Sequence, residues 1–231
     1  MTLSDDAHDL IRRDIVNGTL APEEPLRMDA LKTRYGMGFS PLREALNRLQ
    51  AEHMVIAVPQ RGFAVAPVSP ALMWDVIRTR IHIETRALEI SIMQGDDDWE
   101  AAVVSSLHGM LLQARRLAEQ ECPTEDDFRC MEDRHRRFHR ALIDACGSNW
   151  LLDFAAKLYF NSERYRFAAL AGSIRGTVGR NVQDEHRRLA DAATARDTAR
   201  ATELLTHHYL ETGRYLESVL AVPQSENTVS D

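Results

Sequence analysis

From Leu42 to Leu49 the apolar positions fall at Leu42, Ala45, Leu46 and Leu49, spaced i, i+3, i+4, i+7 along one helical face. The opposite face carries Arg43, Glu44, Asn47, Arg48 and Gln50. Ser40 is placed to cap this helix, and Pro41 supplies the preset φ of a first helical position, so a helix is expected over residues 40–52. Upstream, Leu10, Ile11 and Ile15 mark a helix over residues 7–16 that stops at Asn17-Gly18, and the two-proline stretch TLAPEEPL reads as a turn. A second short helix spans residues 28–35, and Gly36-Met37-Gly38-Phe39 is a tight turn before Ser40, which gives helix, turn, helix. Beyond Glu52 the pattern becomes β-rich: Val55-Ile56-Ala57-Val58, a Pro59-Gln60-Arg61-Gly62 turn, then Phe63-Ala64-Val65-Ala66, a hairpin with Arg61 at its tip.

After VAPVSP, a two-proline linker, the pattern is helical almost throughout. Helices are expected from 69 or 70 to 94, then over 98–120, 124–146, 149–170, 177–194 and 197–220, with caps at Asn149, Thr177 and Asp197. The tail PQSENTVSD reads as disordered. The fold class is therefore mainly α: a winged helix-turn-helix domain over 1–66, a linker at 67–70, an antiparallel all-α bundle over 71–221 and a tail over 222–231. No apolar run reaches membrane-spanning length and the start, MTLSDDAHDL, is acidic, so the expected location is the cytoplasm. Three cysteines without CxxC spacing suggest neither a disulfide frame nor a thiolate zinc site.

Charge sharpens the picture of the head. The whole chain carries -7, of which residues 1–70 contribute -1 and residues 71–231 contribute -6, yet residues 27–61 are net +3. A small basic face on an acidic body is compatible with reading DNA. Arginine forks onto guanine edges or phosphates and Asn matches the adenine edge, whereas the plainer reading of the same helix is a solvated polar face.

Three stretches of the head resemble the GntR superfamily of bacterial transcription regulators: Ile15-Val16-Asn17-Gly18-Thr19-Leu20-Ala21-Pro22, Pro41-Leu42-Arg43-Glu44-Ala45-Leu46-Asn47-Arg48-Leu49, and Gln60-Arg61-Gly62-Phe63-Ala64-Val65. The resemblance implies a dimer that places two recognition helices on double-stranded operator DNA, with Arg34, Ser40, Arg43, Asn47, Arg48, Arg61 and Gly62 as the contact residues. Members usually have Ser-Arg-Thr before the proline; here the residues are Gly38-Phe39-Ser40.

The histidines carry the chemistry of the body. His135 and His139 stand four apart on one helical face with Glu132 one turn earlier, His186 follows Asp184-Glu185, and His208 lies in LLTHHYL. Imidazoles converging from neighbouring helices can hold a borderline divalent ion, while the plainer alternative is an exposed charged helix with incidental histidines. The body resembles the FCD ligand-binding domain through Arg80-Ile81-His82-Ile83-Glu84, Phe138-His139-Arg140-Ala141-Leu142, Cys146-Gly147-Ser148-Asn149, Glu185-His186-Arg187-Arg188-Leu189 and His208. In metal-binding members an Asp and three His hold the ion. His139, His186 and His208 match the three His, and His135 stands at the Asp position, so His135, or Glu132 in its place, is the expected fourth ligand of zinc or nickel; an effector bound without metal is the other option.

The resemblance also implies that Arg80 pairs with a small carboxylate effector; the alternative for Arg80 is an i, i+4 pair with Glu84. Arg164 and Arg166, near Tyr159, Phe160, Tyr165 and Phe167, are further pocket candidates, against the plainer reading of that aromatic stripe as core. The function implied is a ligand-responsive regulator, in similar proteins usually a repressor. A metal-dependent hydrolase with Glu132 as general base is the competing function, and a plain helical scaffold is a third.

Overall fold

The computed structural model describes residues 2–172 and 180–220, the side chains of 167–172 excepted. These residues divide into two compact units. One holds the first 76 residues, the part of the seventh helix from Phe160 onward and the end of the ninth from Tyr215; the other holds Ile77–Tyr159 and residues 180–214.

In the first unit, α1 (Leu3–Val16) opens on a capping box in which Thr2 and Asp5 satisfy each other's backbone N-H groups. α2 (Met28–Tyr35) ends at Gly36, whose φ of 66° is a left-handed cap that a side chain would strain. α3 (Phe39–Ala51) follows. Its stripe is as expected: Leu42, Ala45, Leu46 and Leu49 are all fully buried against Ile11, Ile15 and Leu31. The start of α3 differs from expectation. Gly38, in extended conformation, precedes the first helical residue, and no side chain caps it. Ser40 and Pro41 therefore lie inside the first turn, where the missing proline N-H still costs nothing.

β2 (Val55–Val58) and β3 (Gly62–Val65) form the hairpin, with Gly62 at φ 89° closing its turn. β3 also pairs with β1 (Pro25–Leu26), in register Pro25↔Ala64 and Leu26↔Phe63, giving the order β1-β3-β2. The sequence reading took this proline-flanked segment as a turn. A two-residue edge strand shows no alternation, and an edge is where a sheet tolerates proline. Later residues complete this unit: the Asn161 side chain donates to the Glu52 carbonyl at 2.7 Å, Arg164 donates to the Ala66 carbonyl at 2.7 Å, and the Arg12 guanidinium stacks over the Phe160 ring at 4.1 Å.

The remaining helices are α4 (Pro70–Gln94), α5 (Asp97–Glu119), α6 (Glu125–Ile143), α7 (Asn149–Gly172), α8 (Val182–Thr194) and α9 (Thr198–Leu220). Asp96 caps α5, a Thr124/Asp127 capping box opens α6, and Asp197 receives the Arg200 N-H at the start of α9. At α7 the cap is Ser148, which accepts from Leu151, rather than Asn149. α8 starts at an Asn181 cap; the expected cap at Thr177 and the tail over 222–231 lie outside the described residues. The third helix of the body ends at Ile143 and tightens into a 3-10 turn at Asp144–Cys146, shorter than the helix expected to Cys146. Gly95 is required by packing: a Cβ there would sit 2.5 Å from the Trp99 ring, which is buried and donates its indole N-H to the Ala141 carbonyl. In this way the α4-α5 turn is tied to α6, the helix that carries two of the histidines.

Candidate metal centre and nucleic-acid face

α6, α8 and α9 bring His135, His139, His186 and His208 together, with one ring nitrogen from each lying within 4.8 Å of the others. Two nitrogens bound tetrahedrally to one zinc ion stand about 3.4 Å apart, so the set as it stands is wider than such an ion requires and would draw in around it. His139, His186 and His208 are buried, and the His135 side chain is 12% exposed.

The hydrogen bonds behind the rings fix which nitrogen faces inward. The Tyr209 hydroxyl gives its proton to Glu84 Oε2 at 2.5 Å, so its oxygen accepts from Arg80 at 2.9 Å and from His139 Nδ1 at 3.1 Å. The Tyr159 hydroxyl gives its proton to Glu132 Oε1 at 2.7 Å, so it accepts from His135 Nδ1 at 2.8 Å. His208 Nδ1 lies 2.8 Å from Glu185 Oε2, whose carboxylate is clamped by Arg180 at 2.6 and 2.5 Å; an Arg180 nitrogen also lies 3.2 Å from that Nδ1. His186 is held through the Val182 backbone, and its Nε2 is buried without a hydrogen-bond partner.

His135, His139 and His208 are thus held from behind through Nδ1, the arrangement that carboxylates and carbonyls behind a metal ligand impose. His139 Nε2 and His135 Nε2 face each other at 3.1 Å, within hydrogen-bond distance. Four ring nitrogens gathered in this way could hold a metal ion.

Burial keeps three of the four rings, His139, His186 and His208, neutral. Burial pushes His139 well below the ordinary imidazole range, and the neighbouring histidines push in the same direction; His186 is lowered for the same reasons. Burial also lowers His208, to about 4, against the opposing pull of Glu185. For Glu185 burial works upward, but hydrogen bonds from Arg180 and His208 overcome it and hold the carboxyl at about 2.

Other expected pocket residues fall elsewhere. Glu132 sits behind Tyr159, with its carboxylate 3.8 Å from the anchored His135 nitrogen, and so stands outside the four-nitrogen set. That position also leaves it poorly placed as a general base, since its Oε1 holds the Tyr159 proton. Arg80 pairs with Glu84 at 2.7 Å, both side chains being 3% exposed. Burial makes this i, i+4 pair far more consequential than a surface one, and it braces Tyr209. Arg164 belongs to the first unit and donates to the Ala66 carbonyl at 2.7 Å.

On the head, Ser40, Arg43 and Asn47 share the exposed face of α3, and Arg61 and Gly62 are exposed at the hairpin turn. Arg34 and Arg48 are drawn into ion pairs, Arg34 with Asp14 at 3.3 Å and Arg48 with Asp5 at 2.8 Å, although both remain partly exposed.

Comparison with known proteins agrees with this division. Residues 3–65 match the domain described as bacterial regulatory proteins, gntR family, and residues 75–211 match the FCD domain. The chain is 36% identical over 206 residues to the HTH-type transcriptional repressor GlaR of Escherichia coli (strain K12), covering 89% of this chain and 91% of that protein. The chain belongs to the gntR family of bacterial regulatory proteins. This GntR regulator is also 42% identical over 198 residues to the uncharacterized HTH-type transcriptional regulator BphR of Paraburkholderia xenovorans (strain LB400), covering 86% and 78% of the two chains. Its fold matches that of E. coli McbR/YncC, with a TM-score of 0.76 at 18% identity over 95% and 99% of the chains. The family and these relatives are regulators, and they lend no support to a hydrolase. Among the described residues of the GntR regulator, no helix is long and apolar enough to cross a membrane.

Sequence reasoning gave no role to Tyr159, Tyr209, Glu185 or Arg180, which orient the histidines of this regulator. Tyr159 was visible only as part of an aromatic stripe, and Arg180 fell inside the helix expected over 177–194 whereas it precedes α8. The available signal was adjacency: Tyr209 directly follows His208 and Glu185 directly precedes His186.

Proposed function

We propose that this regulator is a repressor that binds operator DNA as a homodimer and releases it in response to a small carboxylate held at a divalent metal in the helical domain. Residues 1–66 are the DNA-binding domain and 71–221 the effector and dimerisation domain. The observation that carries the DNA-binding reading is the division of α3 into a fully buried stripe and an exposed face bearing Ser40, Arg43 and Asn47. Such a face fits the major groove, with Arg61 at the hairpin tip for the phosphates, and a two-fold dimer presents two copies to successive grooves.

His135, His139, His186 and His208 would hold the ion, which would supply Lewis-acid chemistry toward a carboxylate. Arg80, Tyr209 and Glu84 keep His139 aimed; Arg180 and Glu185 do the same for His208. An effector changes DNA affinity only as far as it binds one arrangement of the protein better than the other.

The test is fluorescence anisotropy on labelled DNA taken from beside the regulator's own gene. Arg43→Ala is expected to weaken binding by about 5- to 150-fold, the equivalent of one lost base contact of about 1–3 kcal/mol, with folding intact. Unchanged affinity at physiological salt sinks the assignment of α3. A thermal-shift screen of mono- and dicarboxylates against metal-stripped and zinc-loaded protein tests the sensor, since a ligand at about a hundredfold over its Kd adds about 2.7 kcal/mol.

A further inference from the structure

We infer that Phe39 reads thymine: its ring meets the C5-methyl group of a thymine in the major groove of each half-site and so adds an apolar position to a code otherwise carried by arginine and asparagine. The inference rests on reading α3 as the recognition helix.

The first support is where the ring stands. Phe39 is the first residue of α3, entered from the extended Gly38. A recognition helix laid in the major groove presents its N-terminal residues to the base edges. Phe39, Arg43 and Asn47 follow one another at i, i+4 and i+8, about a helical turn apart, and all three are exposed. The ring therefore heads the row of side chains that faces the bases.

The second support is how the ring is held. The apolar core of the head takes up Tyr35 at the end of α2 and Met37 in the turn, whereas Phe39 keeps 44% of its surface exposed. A lone exposed phenylalanine is ordinary on a protein surface, so its position and its neighbour decide the matter. That neighbour is Lys32 of α2, whose ammonium lies 5.1 Å from the ring centroid. This cation-π contact restricts the ring and sets a charge suited to phosphate beside it, on the helix that crosses the DNA backbone in such motifs.

The chemistry of the side chain then selects the base. A phenyl ring has no donor or acceptor for the polar edges of guanine, adenine and cytosine. The thymine methyl is the apolar group that the base pairs present in the major groove. At about the value of one buried methylene, covering it favours thymine about fourfold per half-site.

In the experiment, full-length wild type first selects binding sites from a random double-stranded DNA library. Each thymine of the enriched duplex is then replaced in turn, in both half-sites together, by deoxyuridine, which keeps the pairing and lacks only the methyl. Affinity is read by fluorescence anisotropy for wild type, Phe39→Ala and Arg43→Ala. At one thymine position, loss of both methyls is expected to weaken wild type about fifteenfold, the product of two half-sites. Phe39→Ala is expected to bind the thymine and deoxyuridine duplexes equally.

If no thymine is methyl-sensitive in wild type, or if the sensitivity persists in Phe39→Ala, the inference falls; Arg43→Ala that still loses affinity for the same duplex leaves the recognition helix standing. If the library enriches no sequence, or if neither variant alters affinity, the reading of α3 itself falls. A Phe39→Ala chain that does not fold is replaced by Phe39→Gln, polar and of similar reach, for which the same loss of discrimination is expected.

Discussion

Lowering the pH should unfold the metal-free protein through its histidines, and His208 permits the effect to be sized. Burial holds its folded-state pKa at about 4, against about 6.5 in an unfolded chain. The unfolded state therefore binds the proton first as the pH falls. The stability contributed by neutral His208 is fully present above pH 6.5, declines as pH drops below that value, and is exhausted near pH 4. At one pKa unit per about 1.36 kcal/mol the total is about 3 kcal/mol, and the slope near pH 5 is about 1.2 kcal/mol per pH unit. Glu185, held at about 2, and unfolded-state carboxylates titrate mainly below this range, so the window from pH 6.5 to 5 belongs to imidazoles.

The assay is urea denaturation with chelator present, at half-unit pH steps, on wild type and His208→Gln. Glutamine keeps a polar group near Glu185 but does not titrate. The expected result is a wild-type stability curve steeper by about 1 kcal/mol per pH unit around pH 5 than that of the variant, whatever the offset between them. Parallel curves refute the claim that His208 is held neutral by burial.

Two further outcomes follow from the packing. Tyr209→Phe removes the acceptor of both Arg80 and His139 Nδ1 and the donor to Glu84; a loss of about 1–3 kcal/mol in metal-free protein is expected by chemical denaturation, and a change under 0.5 kcal/mol would show that the network is not braced through this hydroxyl. Leu46→Ala empties a fully buried position between α3 and α1 and is expected to cost about 2–5 kcal/mol and to lower DNA affinity by depopulating the folded head, read from melting curves and anisotropy together.

The recognition helix was legible in the sequence because one period dominates it: four apolar positions in a single stripe leave only one way to bury the helix. Its first turn was less legible. Ser-Pro suits a helix start, but the extended Gly38 lets Phe39 enter the helix first, and that choice is made by the preceding turn. β1 escaped because its only evidence is a partner strand nearly forty residues later in the chain. In the helical domain, spacing placed His135 and His139 on one face, but the meeting with His186 and His208 depends on how α8 and α9 cross α6, which resemblance supplied and periodicity could not. The partner of Arg164 was illegible for the same reason. An arginine among aromatics suggests a ligand, and the acceptor it found, the Ala66 carbonyl, is a backbone atom that no sequence pattern marks.

The grip of α7 on the head bears on how such regulators can be recombined. A cut at residues 67–70, the natural seam in the sequence, separates Glu52 and Ala66 from the Asn161 and Arg164 side chains that satisfy their carbonyls, and Arg12 from the Phe160 ring it covers. A chimera that transplants this head onto another sensor leaves the part-buried Glu52 carbonyl and the buried Ala66 carbonyl without these donors. To keep the head intact, the graft must carry the α7 segment from Phe160 to Arg164 along with residues 1–66, so the exchangeable module is discontinuous in the gene although compact in space.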